Sequence, residues 1–157
     1  MLITLRPATP VDFDYCANVY FSGMGRIIQE LKLDLAAQAT SLRQEWESTQ
    51  VRIIVSDSVD VGWLQIIPHA YALFLAQFFV EGPFQGHGIG TEVMERLIGE
   101  GTRAGQAIAL SVVKTNPALR LYQRLGFGIT HEDDRKFYMR REPDAADQPQ
   151  MVTAPEK

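Results

Sequence analysis

The feature that most constrains this chain is an apolar run, residues 71–80, that passes through Glu81-Gly82-Pro83-Phe84-Gln85-Gly86-His87-Gly88-Ile89-Gly90 into a helix-forming sequence. Leu73, Leu75 and Phe79 on one alternating set and Phe74, Ala76, Phe78 and Val80 on the other predict a central strand covered on both faces. Gln77 alone interrupts it. Glycines at 86, 88 and 90 leave backbone N–H groups uncovered at the positive end of a helix, an arrangement that suits phosphate. The turn is not a Walker A loop, since no Gly-Lys-Ser/Thr occurs. A dinucleotide fingerprint would need glycine where Thr91 stands and an acid about twenty positions on. A plain strand-to-helix turn that uses glycine for positive φ explains the same residues.

Periodicity and caps place the other elements. Residues 2–5 read as a first strand, and Thr9-Pro10-Val11-Asp12 supplies an N-cap, a proline at the first helical position and an acid at the third. Phe13, Cys16, Ala17, Tyr20 and Met24 recur at helical spacing, and Gly23 and Gly25 are expected to loosen the helix end. A second helical segment is expected between about residues 27 and 46, with Asp34 as a start inside it. Residues 52–55 and 61–67 predict an antiparallel hairpin, ended by Pro68. After the glycine turn a helix runs to about Ala104, where Gly105 can stop it. Residues 107–113 read as a buried strand, and residues 127–141 as a final hairpin. The order β, α, α, β, β, β, α, β, α, β, β describes one α/β (α+β) domain.

A second cluster is Asn116-Pro117-Ala118-Leu119-Arg120-Leu121-Tyr122-Gln123-Arg124-Leu125-Gly126-Phe127. Asn116 serves as N-cap, Pro117 as first helical residue, Ala118, Leu121, Tyr122 and Leu125 as the buried stripe, and Gly126 as C-cap. Packing explains everything but the phenol at 122, because a buried hydroxyl needs a partner.

Composition narrows the class. A chain of 157 residues suits a single core, and a net charge of −4 argues against a nucleic-acid partner. Cys16 is the only cysteine, so no internal disulfide and no metal-ligand spacing are available; no metal is expected, and a reduced, cytoplasmic setting is. The longest apolar run, residues 70–76, is too short to span a membrane, and residues 1–14 lack the pattern of a signal peptide. Residues 142–157 carry three prolines and no aromatic residue and read as a disordered tail behind a body of residues 1–141. Of the 19 acids and 15 bases, four and one fall in that tail, which leaves the body 15 against 14 and nearly neutral.

Taken together, Gln85-x-x-Gly88-x-Gly90 and Asn116-x-x-x-x-x-Tyr122-x-x-x-Gly126-Phe127 resemble the GNAT superfamily of N-acetyltransferases, over about residues 2–141. The start of the chain, to Asp12, and Asp60-Val61-Gly62-Trp63-Leu64 resemble its first strand and helix start and its third strand. The resemblance implies a mixed, mostly antiparallel sheet, flanked by helices and splayed between strands four and five to admit acyl-coenzyme A. It implies that the N–H groups of Gly86, His87, Gly88, Ile89, Gly90 and Thr91, next to Gln85, hold the pyrophosphate. Backbone amides near Phe78 and Val80 would meet pantetheine and the thioester, and Asn116 would reach the same arm. Tyr122 would sit near the sulfur; a phenol with a reference pKa of about 10 stays protonated and can act as general acid.

The base is less well marked. Some members of the superfamily carry a glutamate on the fourth strand, where this chain has only Gln77. Glu81 is the candidate, with His69, His131 and a water chain as alternatives. Cys16, on the apolar stripe of the first helix, reads as packing. The expected reaction moves an acetyl group from acetyl-CoA to a primary amine of a small molecule or peptide. A non-catalytic acyl-CoA-binding or sensing module, and a phosphate-binding regulator using the glycine turn alone, are the alternatives. The acceptor is expected to meet about residues 20–46 and 129–138, with Gly23, Arg26 and Glu30 at its border, and the resemblance admits a homodimer.

Overall fold

Apolar alternation and helix caps build the elements in the expected order. In the computed structural model, which describes residues 1–145, they are β1 (Ile3–Pro7), α1 (Phe13–Glu30), α2 (Leu35–Glu45), β2 (Val51–Ser56), β3 (Val59–Pro68), β4 (Ala72–Val80), α3 (Ile89–Ala104), β5 (Ala107–Val113), α4 (Ala118–Arg124), β6 (Gly128–Glu132) and β7 (Lys136–Arg141). The strands form one mixed sheet in the order β1-β2-β3-β4-β5-β7-β6, with β4 and β5 parallel. The chain divides into two compact units, Met1–Ile67 with Leu75–Val93, and Pro68–Phe74 with the residues from Met94 onward.

In the first unit β1 and β2 pair antiparallel with Leu5 opposite Ile54, and β2 turns into β3 through Asp57 and Ser58 at φ 49° and 72°. Two consecutive left-handed residues match the right-handed twist of the strands they join. Cys16, Val19 and Tyr20 of α1 bury against Leu42, Val51, Ile53 and Trp63. Gly23 and Gly25 do not loosen α1, which runs on to Glu30. A Cβ on Gly23 would stand 3.0 Å from the Phe79 ring, so the glycine serves a close contact and not a helix end. The chain breaks instead at Lys32, φ 55°, and Asp34 then caps α2 by accepting from Ala36 N–H at 3.0 Å.

Strand β4 departs from expectation. Only Ala72 and Leu75 are buried, and the rest, Phe78 and Phe79 included, are half-buried. An apolar run shows that a strand avoids water, not whether protein covers both of its faces.

In the second unit β5 pairs antiparallel with β7, Leu110 opposite Met139, and β7 with the exposed β6. Met94, Leu97 and Ile98 of α3 are buried, as are Ile108, Leu110, Val112, Tyr122, Phe127 and Met139. Gly105, at φ 68°, ends α3 as expected. The body runs a little past residue 141: Asp144 N–H donates to Thr102 Oγ1 at 3.1 Å, and its carboxylate pairs with Arg141 at 3.0 Å. The remainder of the expected tail, residues 146–157, lies outside the described residues.

Candidate functional site

The glycine turn takes its shape from backbone conformation. Gly86 and Gly88 have φ of 80° and 84°, and a Cβ on either would meet nothing within 4 Å. Glycine is therefore required there by the left-handed backbone and not by crowding. The first bond back into α3 runs from Glu92 N–H to Gly88 O at 3.0 Å. The N–H groups of Ile89, Gly90 and Thr91 consequently have no acceptor within the helix. Three donors left without a helical acceptor, at the positive end of a helix and behind two left-handed glycines, suit an anionic oxygen.

The approach to this turn is fixed at Val80 and Glu81. Gln85 Nε2 donates to Val80 O at 2.8 Å, and His87 Nδ1 lies 3.2 Å from Phe84 O. Glu81 N–H donates to Val61 O at 2.8 Å and Glu81 O accepts from Phe84 N–H at 2.9 Å. Its side chain is held as well, because Tyr15 Oη donates to Glu81 Oε2 at 2.5 Å. Burial first, and then the Glu81 carboxylate, push the Tyr15 phenol well above its usual range. Gly62 permits the close approach of β3 to this strand end, since a Cβ on it would lie 2.1 Å from Phe79 O.

Nearby in the first unit, Arg6 Nη2 pairs with Asp12 Oδ1 and with Asp60 Oδ2, each at 3.0 Å. Asp12 also accepts from Thr9 N–H at 2.9 Å. The guanidinium of Arg6 holds the Asp12 carboxyl below its usual value. Cys16 is fully buried, and burial pushes its thiol up to about 12, so it is no nucleophile at neutral pH. A cavity of about 710 Å³ opens where α1 meets α2, walled by Phe21, Gly25, Ile28, Leu33, Leu35 and Ala39, with Gln29 and Lys32 adding the polar part. Gly25 of this wall falls between Gly23 and Arg26, two of the three residues expected at the acceptor border; the third, Glu30, pairs with Arg26 at 3.0 Å.

The second unit carries the other motif. Asn116 Oδ1 accepts from Ala118 N–H at 2.9 Å, the expected cap. Gly126, at φ 94°, closes α4. Tyr122 is 7% exposed, and its ring meets the Phe127 ring edge-on at 5.9 Å. Burial raises its phenol to about 12. The two histidines considered as bases are exposed: His69 meets the Phe74 ring edge-on, and His131 stacks on Tyr138 at 4.4 Å. Neither of these contacts involves Tyr122.

Sequence reasoning located the turn and the Asn116 to Phe127 segment but overlooked Tyr15. No local pattern marks a partner 66 residues away; a tyrosine in a first helical turn beside the buried stripe was the only available signal. Among the described residues, no three His, Cys, Asp or Glu side chains gather as metal ligands, and no helix is long and apolar enough to cross a membrane.

Residues 47–129 match the family model described as an acetyltransferase (GNAT) domain. No curated protein matches the sequence. Among solved structures, the chain is similar to the PaiA N-acetyltransferase of Thermoplasma acidophilum in complex with coenzyme A, at 14% identity and a TM-score of 0.75, covering 90% of this chain and 99% of that one. It is similar to the ribosomal-protein-S18-alanine N-acetyltransferase of Escherichia coli, at 16% identity and a TM-score of 0.69, covering 92% and 96%. Ard1 of Thermoplasma volcanium matches at 18% identity and a TM-score of 0.66, covering 92% and 99%.

Proposed function

The chain belongs to the GNAT acetyltransferase family, and from that premise we propose that it moves an acetyl group from acetyl-CoA to a primary amine of a small molecule or peptide within one ternary complex. The observation that carries the coenzyme half is the turn: left-handed Gly86 and Gly88 stand before the N–H groups of Ile89, Gly90 and Thr91, which have no acceptor within the helix. That donor set fits a diphosphate. Gly86, His87 and Gly88 complete the cradle, Gln85 shapes its entry, and backbone amides near Phe78 and Val80, in the half-buried stretch of β4, meet the pantetheine arm. Asn116 combines its capping role with a contact to that arm.

Acetyl-CoA supplies an activated thioester, and the chain's own groups move the protons. As the amine nitrogen bonds the acyl carbon and the C–S bond breaks, Tyr122 gives its phenolic proton to the departing sulfur. Its pKa of about 12 keeps it protonated until then. Glu81 takes the proton that the amine loses. The cavity walled by α1 and α2 receives the apolar part of the acceptor, so amines with a bulky carbon portion are the preferred class. A lone, buried cysteine supports a reducing, cytoplasmic setting for this reaction.

A non-catalytic acyl-CoA-binding role is the second reading, and the lack of any carboxylate on β4 favours it. Two measurements decide. Coenzyme A should protect the protein against thermal unfolding far better than ADP does, by mass action on the native state; equal protection would favour a phosphate-only site. Thiol release from acetyl-CoA should depend on added amine, and thermal protection by coenzyme A with no thiol release under any amine would select the binding module.

A further inference from the structure

We infer that Tyr15 is a positioning residue for the coenzyme turn, acting through Glu81. The inference rests on the coenzyme reading above and goes beyond it. Glu81 is the last residue before the turn, and three anchors converge on it. Its N–H is bound by Val61 O of β3 and its carbonyl accepts from Phe84 inside the turn. The third anchor, Tyr15 Oη to Glu81 Oε2 at 2.5 Å, is the only one of the three that ties the turn to a helix.

The two backbone bonds leave the carboxylate free to swing, and the phenol removes that freedom. The pair is half-buried, where a hydrogen bond to a charged acceptor is worth more than one in water. With its phenol pushed above the usual range, Tyr15 remains a donor wherever an amine transferase would work. The bond therefore fixes a carboxylate in one orientation at the residue that opens the turn. Without it, the negative side chain is free to turn toward the diphosphate, and the strand end that carries the Gln85 to Val80 bond loses its brace. A bond that orders the binding site beforehand appears in coenzyme affinity, because otherwise that order must be imposed on binding.

The test is calorimetric titration of coenzyme A into the full chain and its Tyr15→Phe, Glu81→Gln and Glu81→Ala variants, each shown by its melting curve to be folded at the assay temperature. Tyr15→Phe should weaken binding about three- to tenfold, because the bond acts on the coenzyme indirectly and only part of its worth reaches the affinity. Its KM for acetyl-CoA should rise in step with the loss of affinity. Glu81→Gln keeps an oxygen that accepts from the phenol and should bind coenzyme at least as tightly as wild type, whatever it does to turnover. Glu81→Ala should weaken binding as Tyr15→Phe does. Wild-type affinity in Tyr15→Phe, or a loss in Glu81→Gln equal to that in Glu81→Ala, overturns the positioning role while leaving the coenzyme reading standing. A wild-type chain that gives no binding heat and no thermal protection overturns the coenzyme reading and this role with it.

Discussion

The turn at residues 81–91 and the segment where α1 meets α2 lie in the same unit and are built on opposite plans. In the turn, position is set by backbone: two left-handed glycines, a helix start and bonds that pin Val80 and Glu81. In the helical segment little is pinned. Of the eleven residues of α2 only Leu42 is buried, and the cavity between α1 and α2 is walled mainly by carbon. Backbone donors suit a coenzyme that is the same in every reaction. An open apolar wall suits an acceptor, because its shape changes with side chains at little cost to the fold.

That contrast is broken most severely at the turn. Gly86→Val combined with Gly88→Val forces two β-branched residues into left-handed backbone at about 1–2 kcal/mol each, and should weaken coenzyme A binding by a hundredfold or more. Calorimetric titration reads the loss, and near-normal binding would mean that the glycines serve the fold alone.

Gly62→Ala is next. Its Cβ would run into Phe79 O, so overpacking should cost about 1–3 kcal/mol in denaturant unfolding, with coenzyme affinity falling beside it. In the helical segment, Leu35→Ala should do much less to stability. Leu35 is 60% exposed, so the change should stay within about 0.5 kcal/mol, yet the ranking of amines in a thiol-release panel should move. An unchanged ranking would remove the cavity from acceptor selection.

A separate effect, confined to alkaline solution, is one of pH. The folded-state pKa of Cys16 rises from 9.0 to about 12 and that of Tyr122 from 10.0 to about 12, chiefly through burial. A raised folded-state pKa gives stability that is present below the unfolded value and is lost as pH climbs through the folded one. Unfolding midpoints should therefore fall between pH 9 and 12, and the fall should shrink in Cys16→Ala.

Much of the turn was legible because glycine, proline and asparagine leave sharp marks on the local backbone. Gly86, Gly88, Asn116 and Gly126 each stand in the conformation or cap that their residue type demands. What escaped notice is non-local. Tyr15 meets Glu81 across 66 residues and Arg6 meets Asp60 across 54, and neither pairing leaves a trace in a window of neighbours. Gly23 misled for a related reason: a helical glycine is neutral about its cause, and here the cause is the ring of Phe79. The burial of β4 was overstated because hydrophobicity records an aversion to water without naming what takes water's place.

The central claim is that the chain transfers an acetyl group with Tyr122 as the acid. Amine-dependent thiol release from acetyl-CoA by wild type and Tyr122→Phe, with coenzyme affinity measured on the same samples, tests it most directly. The expected result is a turnover lowered about a hundredfold or more in the variant, with coenzyme bound as before. Equal turnover in the two proteins, or no amine-dependent release from wild type, would contradict it.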